Sequence, residues 1–195
     1  MRRLATTVIV LALAIGAFYA GRHFTSTTTT TSTTSTTVAP TTTTTSGNLA
    51  TDCSPRDFSG AFVQGQGAAG TIFASVTLTK TTSGTCTMKG WPLLTLQDKL
   101  GAVLASRAID VPTNKDGFSF PTAAADAMPA TLRLAQGSIT DFSLAYSDVP
   151  TGATACPNAG TLSVQFAPNG AAVTVTPSYP LQICNNGQYW VSPFY

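Results

Sequence analysis

The sequence predicts an all-β globular domain, and three observations carry that prediction. Apolar residues recur with period two rather than 3.6 along most of the chain beyond residue 50. Turn-forming residues interrupt those runs at short intervals. Glutamate is absent from all 195 residues, and strong helix formers are correspondingly scarce beside Thr, Ser, Val and Gly.

The alternation is explicit in several segments. Ile72, Ala74, Val76 and Leu78 alternate with Phe73, Ser75, Thr77 and Thr79. Leu132 and Leu134 flank Arg133, while Phe142, Leu144 and Tyr146 alternate with Ser143 and Ala145. Leu162, Val164 and Phe166 form another set, and Val173 and Val175 a further one. Such spacing puts one face of each segment into a core. Less regular strands are expected over Leu93 to Gln97 and Val103 to Ile109. Breaks fall at Ser83-Gly84, Lys99-Leu100-Gly101, Lys115-Asp116-Gly117, Gln136-Gly137, Pro168-Asn169-Gly170 and Asn185-Asn186-Gly187. Together they predict about seven to nine strands in a sandwich or barrel, with one short helical turn near Thr122 to Ala127. Pro92, Pro129 and Pro180 are expected at strand starts or edges.

Ahead of this domain the chain divides into two further parts. Residues 1–24 hold Arg2 and Arg3, a mostly apolar run from Leu4 to Gly21, then Arg22 and His23. A basic start before an apolar run is an export signature, and it orients the remainder away from the cytoplasm. As a helix the run spans about 27 Å, enough for a bilayer core of about 30 Å. It therefore reads as a signal anchor that stays in the membrane or as a signal peptide that is removed. Residues 25–51 form a Thr-rich stalk: Thr25 to Ser46 contains fifteen threonines and four serines, broken only by Val38-Ala39-Pro40. So little apolar surface cannot offset the entropy of ordering the backbone, and the composition is that of a disordered, O-glycosylated spacer. Residues 52–195 are the domain.

The four cysteines, Cys53, Cys86, Cys156 and Cys184, all lie in that domain and suit an oxidising compartment. Four cysteines pair in three ways; sequential pairing, Cys53 with Cys86 and Cys156 with Cys184, is the most economical. No Cys-x-x-Cys spacing points to a metal.

Charge excludes more than it suggests. The formal net charge is +2, but Arg2, Arg3 and Arg22 belong to the first segment. From Gly47 onward seven Lys or Arg face eight Asp, a net of −1, too little for tracking a phosphate backbone, so nucleic acid is not an expected partner. The single histidine, His23, lies outside the domain, so no imidazole is at hand as a general base or metal ligand. Asp98, Asp116 and Asp148 sit in expected turns, where aspartate serves backbone hydrogen bonding. Lys80, Lys89, Lys99 and Lys115 lack a Ser-x-x-Lys partner. Gly67 to Gly70 leads into a strand rather than a helix, which is a turn and not a phosphate loop. The expectation is a domain with no enzymatic activity, cofactor or metal.

Aromatic residues supply the positive signal. Tyr179, Tyr189, Trp190, Phe194 and Tyr195 gather near the end of the sequence. Adjacent strand residues face opposite ways, so Tyr189 and Trp190 cannot both enter one core. Tyr179, Tyr189 and Trp190 are therefore the candidate ligand-binding residues, able to stack on sugar or peptide.

Several motifs also resemble a known family. Gly67-Ala68-Ala69-Gly70-Thr71 precedes the strand from Phe73 to Leu78. Then come Thr85-Cys86-Thr87-Met88-Lys89-Gly90-Trp91-Pro92, Leu94 to Asp98, and Gly101. The order of cysteine, Gly-Ala-Ala-Gly, strand, Cys-x-Leu-x-Gly-Tyr-Pro and Asp-x-x-Gly is that of a secreted actinobacterial cell-envelope family, domain of unknown function 4232 (DUF4232). Met88 stands for Leu and Trp91 for Tyr. Leu134 to Gly137 and the cysteines Cys156 and Cys184 continue the likeness, which covers Cys53 to Phe194. The resemblance implies an immunoglobulin-like antiparallel β-sandwich with two sequential disulfides, and it brings no catalytic residues. The function expected is non-catalytic binding of an envelope glycan, lipid or protein, outside the cytoplasm. The alternatives are a structural spacer or self-assembling subunit, and then a hydrolase with an atypical Asp/Ser/Lys site.

Overall fold

A computed structural model describes residues 51–112, 117–152, 156–179 and 181–195. The expected N-terminal apolar helix, the Thr-rich stalk before residue 51, the turn residues Lys115 and Asp116, and Pro180 lie outside the described residues. Among those described, no helix is long and apolar enough to cross a membrane.

The domain is built almost entirely of strands. In chain order they are β1 (Thr51–Asp52), β2 (Phe58–Ala68), β3 (Thr71–Lys80), β4 (Cys86–Met88), β5 (Leu93–Gln97), β6 (Arg107–Asp110) and β7 (Leu132–Leu134). They continue with β8 (Ile139–Ser147), β9 (Asn158–Ala159), β10 (Thr161–Gln165), β11 (Ala172–Val175), β12 (Leu181–Gln182) and β13 (Gln188–Val191). The longest is β2, eleven residues that the alternation did not reveal, because Ser and Gly dilute its pattern. Residues Thr122 to Ala127 form the expected single turn, through Ala125 N–H and Asp126 N–H to the Thr122 carbonyl.

Two sheets face each other. The larger has the order β2-β3-β8-β13-β6, antiparallel except for the parallel pairing of β6 with β13. The smaller is the antiparallel set β11-β10-β5. Ala74, Val76, Leu78, Phe142, Leu144, Tyr189 and Val191 from the first meet Leu96, Leu162, Val164, Val173 and Val175 from the second in one core. At Gly60 the sheets come so close that an added Cβ would collide with Val175. A third sheet, β1-β4-β7, adds Cys86, Met88 and Leu134 to the core, and a two-stranded pair, β12-β9, adds Ala159 and Leu181. Edge-to-face rings run through the interior from Phe58 to Phe166 (5.3 Å), on to Phe194 (5.5 Å) and then Phe142 (5.8 Å).

Both disulfides are sequential, Cys53–Cys86 and Cys156–Cys184, and no cysteine is free. They close loops of 33 and 28 residues, each worth about 3–4 kcal/mol by loop entropy.

The outer face of the larger sheet has its own cover. Residues 111–112 and 117–127 lie across it, and Val111, Phe120 and Ala125 are buried against Ala145, with Phe73, Phe118, Trp190 and Tyr195 packed around them.

Candidate functional site

Strand β13 sends its two large aromatics to opposite faces, as the pleat requires. Tyr189 points inward, is 2% exposed, and lies opposite Tyr146 of β8. Burial pushes its phenol up to about 12, Ser106 opposes the shift by a hydrogen bond, and the negative charge of Asp110 adds to it. Tyr146 is also raised to about 12, by burial and then by Asp148. Trp190 points outward and stacks on Phe118, centroids 4.5 Å apart and planes 12° from parallel. Phe118 meets Phe120 edge-on at 5.3 Å and lies stacked beside Phe73 at 6.2 Å, their planes 23° apart. The Trp190 indole nitrogen is buried without a hydrogen-bond partner among the described residues. Trp91, by contrast, donates its indole N–H to the Val111 carbonyl at 2.8 Å, which pins the start of the cover.

Tyr179 differs from both. Its ring is 66% exposed and borders a groove of about 390 Å³ shared with Lys99, Gly160, Thr161 and Ser178. The groove is made by turns meeting at one end of the smaller sheet. After β5, the Asp98 carboxylate accepts from the N–H groups of Leu100 (2.8 Å) and Ala102 (2.9 Å), holding a tight loop with Lys99 and Leu100 at its tip. Gly160 donates its N–H to the Gln97 carbonyl at 2.8 Å. A Cβ there would press on the Lys99 backbone at 3.1 Å, so glycine lets the two turns meet. A second hollow of about 350 Å³, also bounded by Lys99 and Gly160, continues the groove past Asn158 and the 93%-exposed Leu100. The structure thus separates the three predicted aromatics: one in the core, one under the cover, one beside an open groove. Sequence reasoning missed that Lys99 belongs with Tyr179; the only signal was the Asp98-x-x-Gly101 turn that presents it.

Among the described residues no three His, Cys or Asp side chains converge as a metal site. Asp98 is committed to its turn, and Asp141 accepts from the Thr77 hydroxyl at 2.6 Å.

Comparison with known families decides the relationship. The profile of the domain of unknown function DUF4232 matches residues 53–195. The chain belongs to this family. No curated protein and no solved structure matches it. In this DUF4232 domain the second disulfide lines another hollow of about 270 Å³, with Ala105, Asn185 and Asn186 at its wall. Asn185 and Asn186 adopt left-handed φ values of 55° and 57°, and Gly187 completes the turn where a Cβ would strike the Ala105 carbonyl.

Proposed function

We propose that this DUF4232 domain is a non-catalytic binding module of an actinobacterial cell envelope and that the Lys99–Tyr179 groove takes hydroxyl-rich glycan. One observation carries the reading: Tyr179 is an exposed ring beside a cation and hydroxyl side chains, whereas Tyr189 and Trp190 are covered by the chain itself. An aromatic face packs on the C–H face of a sugar, while Lys99, Thr161 and Ser178 suit its hydroxyl or carboxylate groups. Two disulfides fit an oxidising, extracytoplasmic site. Residues 1–24 would hold the module to the membrane if retained, with residues 25–51 as its reach.

The experiment titrates solubilised cell-wall glycan fragments into the full chain and its Tyr179→Ala and Lys99→Ala variants, followed by calorimetry. Wild-type binding that weakens at least tenfold in Tyr179→Ala, with an unchanged melting temperature, supports the groove. Equal binding by wild type and Tyr179→Ala refutes it. Binding of lipid or envelope protein, with no glycan bound, replaces the ligand class.

A further inference from the structure

We infer that β2 is a self-pairing edge, and that two copies of this chain join β2 to β2 across a two-fold axis at Ala61. The larger sheet ends on β2, whose only hydrogen-bonded strand neighbour among the described residues is β3, while β11 of the facing sheet packs on its inner face. The direction of its free groups follows from the next strand in. Lys80 donates its N–H to Ser138 and accepts at its carbonyl from Gly137, so both its backbone groups face away from β2. Its register partner Phe58 therefore turns its own groups outward, and the Phe58 N–H is taken by the Pro55 carbonyl. Residues two and four further on repeat that direction. Gly60 and Phe62 thus present N–H and C=O to the free edge, and among the described residues no backbone partner meets them.

Other edges carry the usual protection against strand addition. β6 is four residues long and holds Arg107 and Asp110; β7 holds Arg133. The far side of β5 is covered by Val103 and Leu104, through the Gln97–Val103 bridge and the Leu104 N–H to Leu96 carbonyl bond. β11 is four residues long. β2 is eleven residues long without a charge or a proline. Its one irregularity, between Gln64 and Gly67, leaves Phe58 to Gln64 in unbroken register with β3.

The occupant follows from that stretch. Ala61 is its midpoint, so a two-fold axis there uses its whole length and sets Gly60 of each copy against Phe62 of the other. That makes on the order of four inter-copy backbone hydrogen bonds. On the outward face Ser59 meets Val63 and Ala61 meets Ala61, small or apolar residues with no like charges opposed. Val63 is 52% exposed in the single chain, and Ser59 and Ala61 are exposed with it.

The test uses the full chain in mild detergent. Paired residues whose groups face away from each other lie about 4.5 Å apart at Cα, within disulfide reach. An Ala61→Cys variant should therefore cross-link to itself at least tenfold faster under mild oxidation than Val149→Cys, an exposed control outside the strands. Sedimentation should show a concentration-dependent dimer for wild type and at least tenfold weaker association for Ala61→Lys/Val63→Lys. Equal cross-linking of the two cysteine variants, or association unchanged by the lysines, overturns the proposal. Amide exchange at Gly60 and Phe62 that slows only on adding another protein overturns it in favour of a foreign strand.

Discussion

Trp190 and Tyr179 look alike in the sequence, each a large aromatic close to the end of the chain, yet their surroundings are opposite. Trp190 lies on an open sheet face that the chain itself closes, Phe118 stacking on it from residues 117–127. Tyr179 stands 66% exposed where no described segment crosses over it. The difference teaches that an aromatic outside the core is evidence of a ligand only when the chain supplies no occupant of its own. Phe118 fills the place that a sugar or peptide would take on Trp190.

The comparison can be broken by truncating either side, and the largest effect is expected from the inward neighbour. Tyr189→Ala should cost about 3–5 kcal/mol, read as a fall in denaturant midpoint, because a fully buried ring leaves a cavity that the surrounding strands cannot close. Phe118→Ala should cost about 2–3 kcal/mol, less because its ring is only partly buried, and should red-shift Trp190 emission as water reaches the indole. A native-like emission spectrum in that variant would show that the cover does not depend on the stack.

A smaller effect separates the two faces by pH. Tyr146 and Tyr189 hold their protons up to about 12 in the folded state, above the ordinary value of 10.0. Between those values the folded chain binds more protons than the unfolded one, so stability falls as pH rises. The contribution is complete below about pH 10 and lost on approaching about 12. A denaturant midpoint that drops across this window, and drops less in Tyr189→Phe, is the expected result. The smallest effect on stability belongs to Tyr179→Ala, within about 0.5 kcal/mol, although glycan affinity should fall at least tenfold. A large loss of stability there would mean that Tyr179 is a structural ring.

What the sequence made legible follows from how local each cause is. β3, β8, β10 and β11 were readable because Val76, Phe142, Leu162 and Val173 alternate with polar neighbours, and burial on one face imposes that pattern directly. β2 was not, because its inward positions include Gly60, chosen for close approach to β11 rather than for hydrophobicity. The opposite directions of Tyr189 and Trp190 were also readable, whereas the sequential pairing of the cysteines was the economical choice among three and came with the family resemblance. The stack of Phe118 on Trp190 joins residues 72 positions apart and leaves no periodic trace. For the same reason the meeting of Lys99 with Tyr179 was invisible: it depends on Gly160 admitting one turn against another.

The first disulfide also sets how the domain carries mechanical load. Cys53 follows β1 directly, and its partner Cys86 opens β4. A pull from the N-terminal side enters at Cys53 and passes through the sulfur bridge to Cys86. The β2–β3 hairpin lies wholly inside that shortcut. Tension therefore bypasses the hairpin, and about 110 Å of chain contour stays locked at any force the S–S bond survives. Reduction would release that length into the path, so oxidation state sets how far the domain can be drawn out before it fails.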